Sequence, residues 1–330
     1  MLIRRRPGWA LPESAATPEP VMLARRKLMG ASLGAGAGLA LGATPARAQW
    51  FRSSSGPAAN ALGRPRAPLA ARHSDAYPPG RDLTPEQDAL SYNNFYEFNT
   101  SKSLVGPAQA LKIDPWSIEL AGLVANPRRL ALEDLLRQVS LEERVYRHRC
   151  VEAWAMTVPW VGFPLAELVR LAEPQSGAKY LVFTTQADRA TMPGLRQSWY
   201  PWPYTEGCTL EEAANELAFL AVGMYGQTLA RQNGAPIRLV LPWKYGFKSA
   251  KSLVRVEFSA TRPVNFWQAL QASEYGFWAN VNPAVPHPRW SQAEERLLGS
   301  NEMVPTRIWN GYGEWVAGLY DGLKGERLFA

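Results

Sequence analysis

Short apolar strands and short helices follow one another along this chain without the regular strand–helix–strand alternation of a doubly wound sheet. That irregularity narrows the fold more than any other feature. Trp116–Val124 alternates as a half-buried strand, and Leu132–Val139 follows as a short helix. Glu143–Val151 reads as a strand, Pro164–Leu171 as a helix with proline in its first turn, and Lys179–Thr185 as an apolar strand. Thr209-Leu210-Glu211-Glu212 has the spacing of a capping box that opens a helix. Leu217–Met224, Pro236–Pro242 and Ser252–Ala260 are further strands, and Ser291-Gln292-Ala293-Glu294 is expected to cap another helix. The expected class is therefore α+β. The 13 Trp and 27 Pro fit a loop-rich fold with aromatic-lined clefts.

Charge is unevenly placed. The formal net charge is +7, but residues 1–48 hold seven Arg or Lys against two Glu, which leaves only +2 for the remainder. A nucleic-acid binder keeps its basic stripe in the folded part, so that class is excluded. Arg25-Arg26-Lys27, the small and weakly apolar run Leu28–Ala43, and Ala46-Arg47-Ala48 before Gln49 make a secretory signal. The paired arginines and weak apolar run point to the twin-arginine route, with the mature protein in the periplasm. The run is 16 residues long, too short for a membrane span. Gly34, Gly36 and Gly38 imitate a dinucleotide loop, but no strand precedes them. Residues 49–90 are rich in Pro, Ser, Ala, Gly and Arg and read as an extended arm or linker, ahead of one domain spanning 91–330. A route that exports folded protein suits an enzyme loaded with its cofactor in the cytoplasm, and no Cys-x-x-Cys-His string offers covalent haem.

Cys150 and Cys208 are the two cysteines. In an exported protein such a pair reads first as a disulfide. The setting of Cys150, in Arg147-His148-Arg149-Cys150 at the end of a strand, supports a second reading. Cationic neighbours lower a thiol's pKa and favour the thiolate that ligates soft metals. Period two along a straight strand puts only His148 on the face of Cys150. His73, His148 and His287 lack metal spacing, and no Gly-x-Ser-x-Gly elbow is present, so zinc and serine-hydrolase chemistry are disfavoured. Asp188 and Glu206 are expected as surface carboxylates. Gln232-Asn233-Gly234-Ala235-Pro236 makes a turn before a strand carrying Arg238, and the next loop offers Lys248 and Lys251 around Gly246 and Ser249. Small residues let backbone N–H groups approach an anion while the cations neutralise it. Tyr92-Asn93-Asn94-Phe95-Tyr96-Glu97-Phe98, taken alone, reads as an aromatic docking segment.

These strings, with Tyr146–Trp154, Pro242–Lys248 and His287–Gln292, occur in the order found in a known family. From about Tyr92 onward the chain resembles the catalytic subunits of periplasmic protein-methionine-sulfoxide reductases, molybdopterin enzymes of the mixed-sheet sulfite oxidase fold. The resemblance implies that Cys150 is the molybdenum ligand and the catalytic residue, with one molybdopterin per subunit. It implies that Asn93, Tyr96 and Glu97 line the cofactor from the N-terminal side. Thr185, Asn233 and Arg238 would bind the pterin and its phosphate, joined by Ser249, Ala250 and Lys251. The family usually has an apolar residue where this chain has His148, and Cys208 lies outside every matching string. The implied reaction is oxygen-atom transfer from methionine sulfoxide in oxidised periplasmic proteins, with electrons from a membrane haem-binding subunit fed by quinol. Two competing functions are sulfite oxidation on the same fold and periplasmic solute binding. The latter would show two similar α/β lobes, and no such pattern is visible.

Overall fold

A computed structural model describes residues 62–329; the leader and the first part of the arm lie outside them. The described strands are β1 (Arg72–Ser74), β2 (Ser117–Gly122), β3 (Arg128–Ala131), β4 (Glu142–Arg149), β5 (Trp154–Pro164), β6 (Tyr180–Thr185) and β7 (Thr205–Thr209). They continue with β8 (Phe219–Met224), β9 (Gln227–Thr228), β10 (Arg238–Val240), β11 (Leu253–Ser259), β12 (Glu294–Leu297) and β13 (Met303–Pro305). One sheet runs β1-β4-β5-β12-β13, with β8 also on β5 and carrying β9 and β10; the other runs β3-β2-β11-β6-β7. The pairs β1–β4, β2–β11 and β5–β12 are parallel and the others antiparallel, so the architecture is the mixed-sheet α+β one expected.

β5 forms the spine. All of Trp154–Phe163 is buried, because the strand is flanked on both edges and covered on both faces. Each fully buried large side chain there, Trp160 and Phe163 among them, contributes roughly 1.5–3 kcal/mol. Gly162 is needed at the β5–β8 register shift, since a Cβ there would strike the Leu220 carbonyl. The helix Leu165–Ala172 packs Leu165, Leu168 and Ala172 inward at helical spacing. Thr209 and Glu212 form the expected capping box: the Glu212 N–H donates to Thr209 Oγ1 at 3.1 Å, and the Thr209 N–H to Glu212 Oε2 at 3.0 Å.

The helix expected after Ser291 is instead β12. Ser291 Oγ accepts from the Ala293 N–H at 3.1 Å, a local turn, and the chain then pairs with β5 through Arg296 and Leu297. Strand pairing outweighs the local capping pattern. Glu206 is not a surface carboxylate either. It is fully buried on β7, 2.9 Å from Lys248 Nζ, because two opposite charges can enter the core only together. From Leu62 the arm lies along the first sheet: Pro68 bridges Gln227, β1 pairs with β4, and Arg81 bonds Thr157 and Glu295.

Candidate active site

β4 ends at Arg149, and the chain reverses tightly into β5. The Cys150 N–H donates to the Trp154 carbonyl (2.9 Å) and the Ala153 N–H to the Cys150 carbonyl (3.1 Å), with Ala153 at φ 59°. Arg149, fully buried, clamps this tip. It donates to the Cys150 carbonyl, Gln292 Oε1 (2.8 Å) and Thr306 Oγ1 (3.1 Å), and its Nε lies 2.9 Å from Glu295. Arg147 donates to the Pro79 carbonyl at 2.5 Å. The alternation expected of the strand therefore holds: Cys150 and His148 line one cavity, and the two arginines do not.

That pattern corrects the expected thiol chemistry. The arginines are engaged elsewhere, and burial, followed by the Glu152 carboxylate, pushes the Cys150 thiol up to about 12. A coordinated metal reverses this, since a ligating thiol is deprotonated outright. Asn94 Nδ2 and the Glu152 N–H each donate to Sγ at 3.5 Å. Burial raises Glu152, but hydrogen bonds from Lys102, Asn94 and Trp154 outweigh it and hold the carboxyl below its ordinary value. Cys150 and Cys208 are both free, so the disulfide reading fails.

The cavity has a volume of about 510 Å³. Its lining includes Asn93, Arg238, Ser249, Ala250 and Lys251. Arg238 is buried and donates only to the carbonyls of Asn233 (2.9 Å), Ser249 (3.2 Å) and Leu239 (3.3 Å), with its guanidinium 4.9 Å from the Trp160 ring centre. No carboxylate among the described residues pairs with it, and burial lowers its pKa to about 9. Lys251 Nζ donates to the Asn94 carbonyl at 2.8 Å; burial and Arg238 pull its ammonium well below the usual range. Burial raises Glu97, which accepts from Thr185 Oγ1 at 3.1 Å. Burial, then Arg238 and Lys251, holds His148 well below its usual value, so its imidazole is neutral. A Cβ on Gly246 would overlap that imidazole, so only glycine leaves this wall open.

These features fit a bound anionic, polar cofactor. Two cations face the cavity without a carboxylate to answer Arg238, Asn233 Oδ1 is buried with no donor, and the Cys150 thiol lines the same cavity. Of the ten residues implied by the resemblance, Cys150, Asn93, Tyr96, Glu97, Arg238, Ser249, Ala250 and Lys251 line the cavity. Thr185 and Asn233 stand one layer behind, where Asn233 Nδ2 donates to Asn93 Oδ1 at 3.1 Å. Lys248 turns away to Glu206, so Lys251 alone represents the anion loop's lysines here.

The oxidoreductase molybdopterin binding domain family matches residues 105–267. The protein-methionine-sulfoxide reductase catalytic subunit MsrP of Pseudomonas syringae pv. tomato is 47% identical over 98% of both chains. The proteins of the same name from Ralstonia nicotianae and Burkholderia mallei are each 44% identical, again over 98% of this chain, and 97% and 96% of their own. The chain belongs to the MsrP catalytic-subunit family. It is an oxidoreductase with a molybdopterin-binding domain. The sulfane dehydrogenase SoxCD of Paracoccus pantotrophus overlaps 66% of this chain and 60% of its own, at 18% identity and a TM-score of 0.42.

The molybdopterin-binding domain match begins after Asn93, Tyr96 and Glu97, yet the fold carries all three into the cavity. Sequence reasoning passed over Asn94, Lys102 and Glu152, which surround the thiol. Asn94 and Glu152 lay inside quoted strings, and only their distance to Sγ distinguishes them. Of the aromatic lining, sequence reasoning singled out Tyr96 and quoted Trp290 within a matching string, but passed over Tyr200, Trp267 and Tyr275. Tyr96, Trp267 and Tyr275 form a wall with ring centres 4.9 and 5.3 Å apart, and Tyr200 and Trp290 extend it. Arg289 lies over Trp290 and bonds Glu274 at 2.7 Å.

Proposed function

We propose that this chain reduces methionine sulfoxide residues in periplasmic proteins, repairing them, with one molybdopterin per subunit held through Cys150. The observation that carries the proposal is what faces one cavity: a buried, carboxylate-free cation, an aromatic wall and the Cys150 thiol. When bound, molybdopterin supplies the two-electron oxygen-atom-transfer chemistry that turns a sulfoxide into a thioether. Arg238 and Lys251 would neutralise the cofactor's phosphate, with Ser249 and Ala250 beside them. Asn93, Tyr96 and Glu97 close the N-terminal side, and Thr185 and Asn233 hold that wall from behind. The clamp of Arg149 on the Cys150 carbonyl fixes the thiol's position, and Asn94 and the Glu152 N–H donate to its sulfur. The aromatic wall offers an apolar, weakly hydrated seat to a methyl thioether and excludes water from it.

Electrons would come from a membrane haem-binding subunit. The twin-arginine leader supports a periplasmic location, and among the described residues no helix is long and apolar enough to cross a membrane. Sulfite oxidation is the second reading, and it suits this cavity less well. A dianionic substrate needs free cations at the reaction site, and Arg289, the cation beside the aromatic wall, is already paired with Glu274. The test is turnover of a methionine-sulfoxide peptide with a reduced viologen dye as donor, beside sulfite oxidation with an artificial acceptor. Sulfoxide reduction without sulfite oxidation is expected, and the reverse pattern contradicts the proposal.

A further inference from the structure

The aromatic wall does not stop at the cavity mouth. Tyr200 lines the cavity, and its ring centre lies 5.9 Å from that of Trp199, which is 66% exposed. On its other side Tyr200 stacks on Phe266 at 5.8 Å, and Val264, two residues earlier, is 62% exposed. The exposed large apolar side chains among the described residues are Leu83, Trp199, Val264, Met303 and Ile308, so two of the five flank this one aromatic cluster. The backbone on either side of Trp199 forms a closed turn. Its turn is closed by the Tyr200 N–H on the Gln197 carbonyl (3.3 Å), the Trp202 N–H on the Tyr200 carbonyl (2.9 Å) and Trp202 Nε1 on the Gln197 carbonyl (3.1 Å). A tryptophan has only two side-chain torsions to fix, so one left in water beside a cavity loses little entropy on binding, which is how binding anchors work.

We infer that Trp199, with Tyr200 behind it, is a docking platform for the polypeptide on either side of the oxidised methionine; this rests on the sulfoxide-reductase reading above. A small free sulfoxide would fit inside the cavity and leave Trp199 untouched. Continuity of the wall from the cavity to the open surface identifies the occupant as an extended chain that enters with one side chain and lies across the rim with its neighbours. In an extended chain, side chains two apart share a face and lie roughly 6.6 Å apart. The 5.9 Å between Tyr200 and Trp199 matches that step. Trp199 therefore receives the residue two positions from the sulfoxide and favours an apolar one there.

The test uses holoenzyme with a reduced viologen dye as donor. The substrates are dimethyl sulfoxide and two methionine-sulfoxide peptides, with Leu or Ser two positions away. For Trp199→Ala, kcat/KM on the Leu peptide is expected to fall about tenfold through KM, the equivalent of about 1.4 kcal/mol. Turnover of dimethyl sulfoxide should stay unchanged, the preference for Leu over Ser should vanish, and Trp199→Phe should restore most of both. Anisotropy of the labelled Leu peptide should report the same weakening without turnover. An unchanged Leu peptide, or equal losses on peptide and dimethyl sulfoxide, overturns the inference. So does a loss seen only when the electron-donor subunit replaces the dye, which would make Trp199 a contact for that subunit. Wild-type protein that turns over no sulfoxide, yet still binds the labelled peptide through Trp199, overturns the reductase reading instead.

Discussion

Arg238 is a buried cation answered by carbonyls alone, so its removal should change the cofactor-free protein little and weaken the cofactor-loaded one. Burial lowers its pKa from 12.5 to about 9, which corresponds to about 5 kcal/mol by which the fold disfavours the charged guanidinium. At pH 7 the group is protonated in folded and unfolded chains alike. The cost is therefore fully present there and is relieved only as pH rises above 9. Arg238→Met removes that cost. It also strips a donor from the carbonyls of Asn233, Leu239 and Ser249, at about 1 kcal/mol each, and a cation from the Trp160 face at roughly 0.5–2 kcal/mol. These terms nearly cancel, so cofactor-free variant and wild type should unfold in denaturant within about 2 kcal/mol of each other. The loaded variant loses a charge-assisted bond worth about 1.5–3 kcal/mol and should shed cofactor roughly 10- to 150-fold more readily. Equilibrium unfolding of the cofactor-free proteins and retention of molybdenum through dialysis measure the two halves. A cofactor-free variant about 4 kcal/mol less stable, with wild-type retention, would make Arg238 a structural strut and refute the reasoning.

Lys251 titrates below its usual range, so holding a phosphate requires proton uptake once the pH passes that lowered value. Cofactor affinity should fall toward pH 9 by at most about tenfold per pH unit and stay flat in Lys251→Arg; equal slopes would remove Lys251 from the phosphate site. Cys208 is fully buried on β7, away from the cavity lining, so Cys208→Ser should keep near-wild-type sulfoxide turnover. Peptide mapping of unreduced, alkylated protein should return two separate thiol peptides, and a joined pair would contradict the structure. Replacing Arg25 and Arg26 by Lys keeps the charge but removes the planar guanidinium pair. Precursor should then accumulate in the cytoplasm, and normal delivery would indicate the general secretory route.

Much of the fold was legible because half-buried strands alternate. β2, β4, β6 and β11 lie within a few residues of their expected bounds, and the same period placed His148 and Cys150 on one wall. β5 escaped because burial on both faces erases alternation and leaves an apolar run that periodicity cannot classify. Two Ser/Thr-x-x-Glu strings looked alike, yet Thr209 caps a helix while Ser291 makes a turn into β12; the difference is the strand waiting to pair. The anion-binding residues were readable because Asn233, Arg238 and Lys251 lie in one short stretch: the turn before β10, the first residue of β10 and the loop after it. The aromatic wall as a whole was not, since Tyr96, Tyr200, Tyr275 and Trp290 come from separate loops and Trp267 from the helix Phe266–Leu270, and they meet only in three dimensions. Lys248 was misread for a related reason: its partner Glu206 lies on β7, 42 residues earlier in the chain, and a single sequence carries no mark of that pairing.

The central claim is that Cys150 ligates molybdenum, and the number of sulfur atoms around the metal tests it most directly. Molybdenum K-edge X-ray absorption on wild-type holoenzyme and on Cys150→Ser should differ by one sulfur neighbour, since the substitution replaces a soft thiolate by a hydroxyl that is neutral at pH 7. Sulfoxide turnover should collapse in the same sample while the fold persists, because the Arg149 clamp and the buried β5 core do not depend on the thiol. An unchanged sulfur count, a variant that still reduces sulfoxides, or wild-type protein that carries no molybdenum would contradict the account.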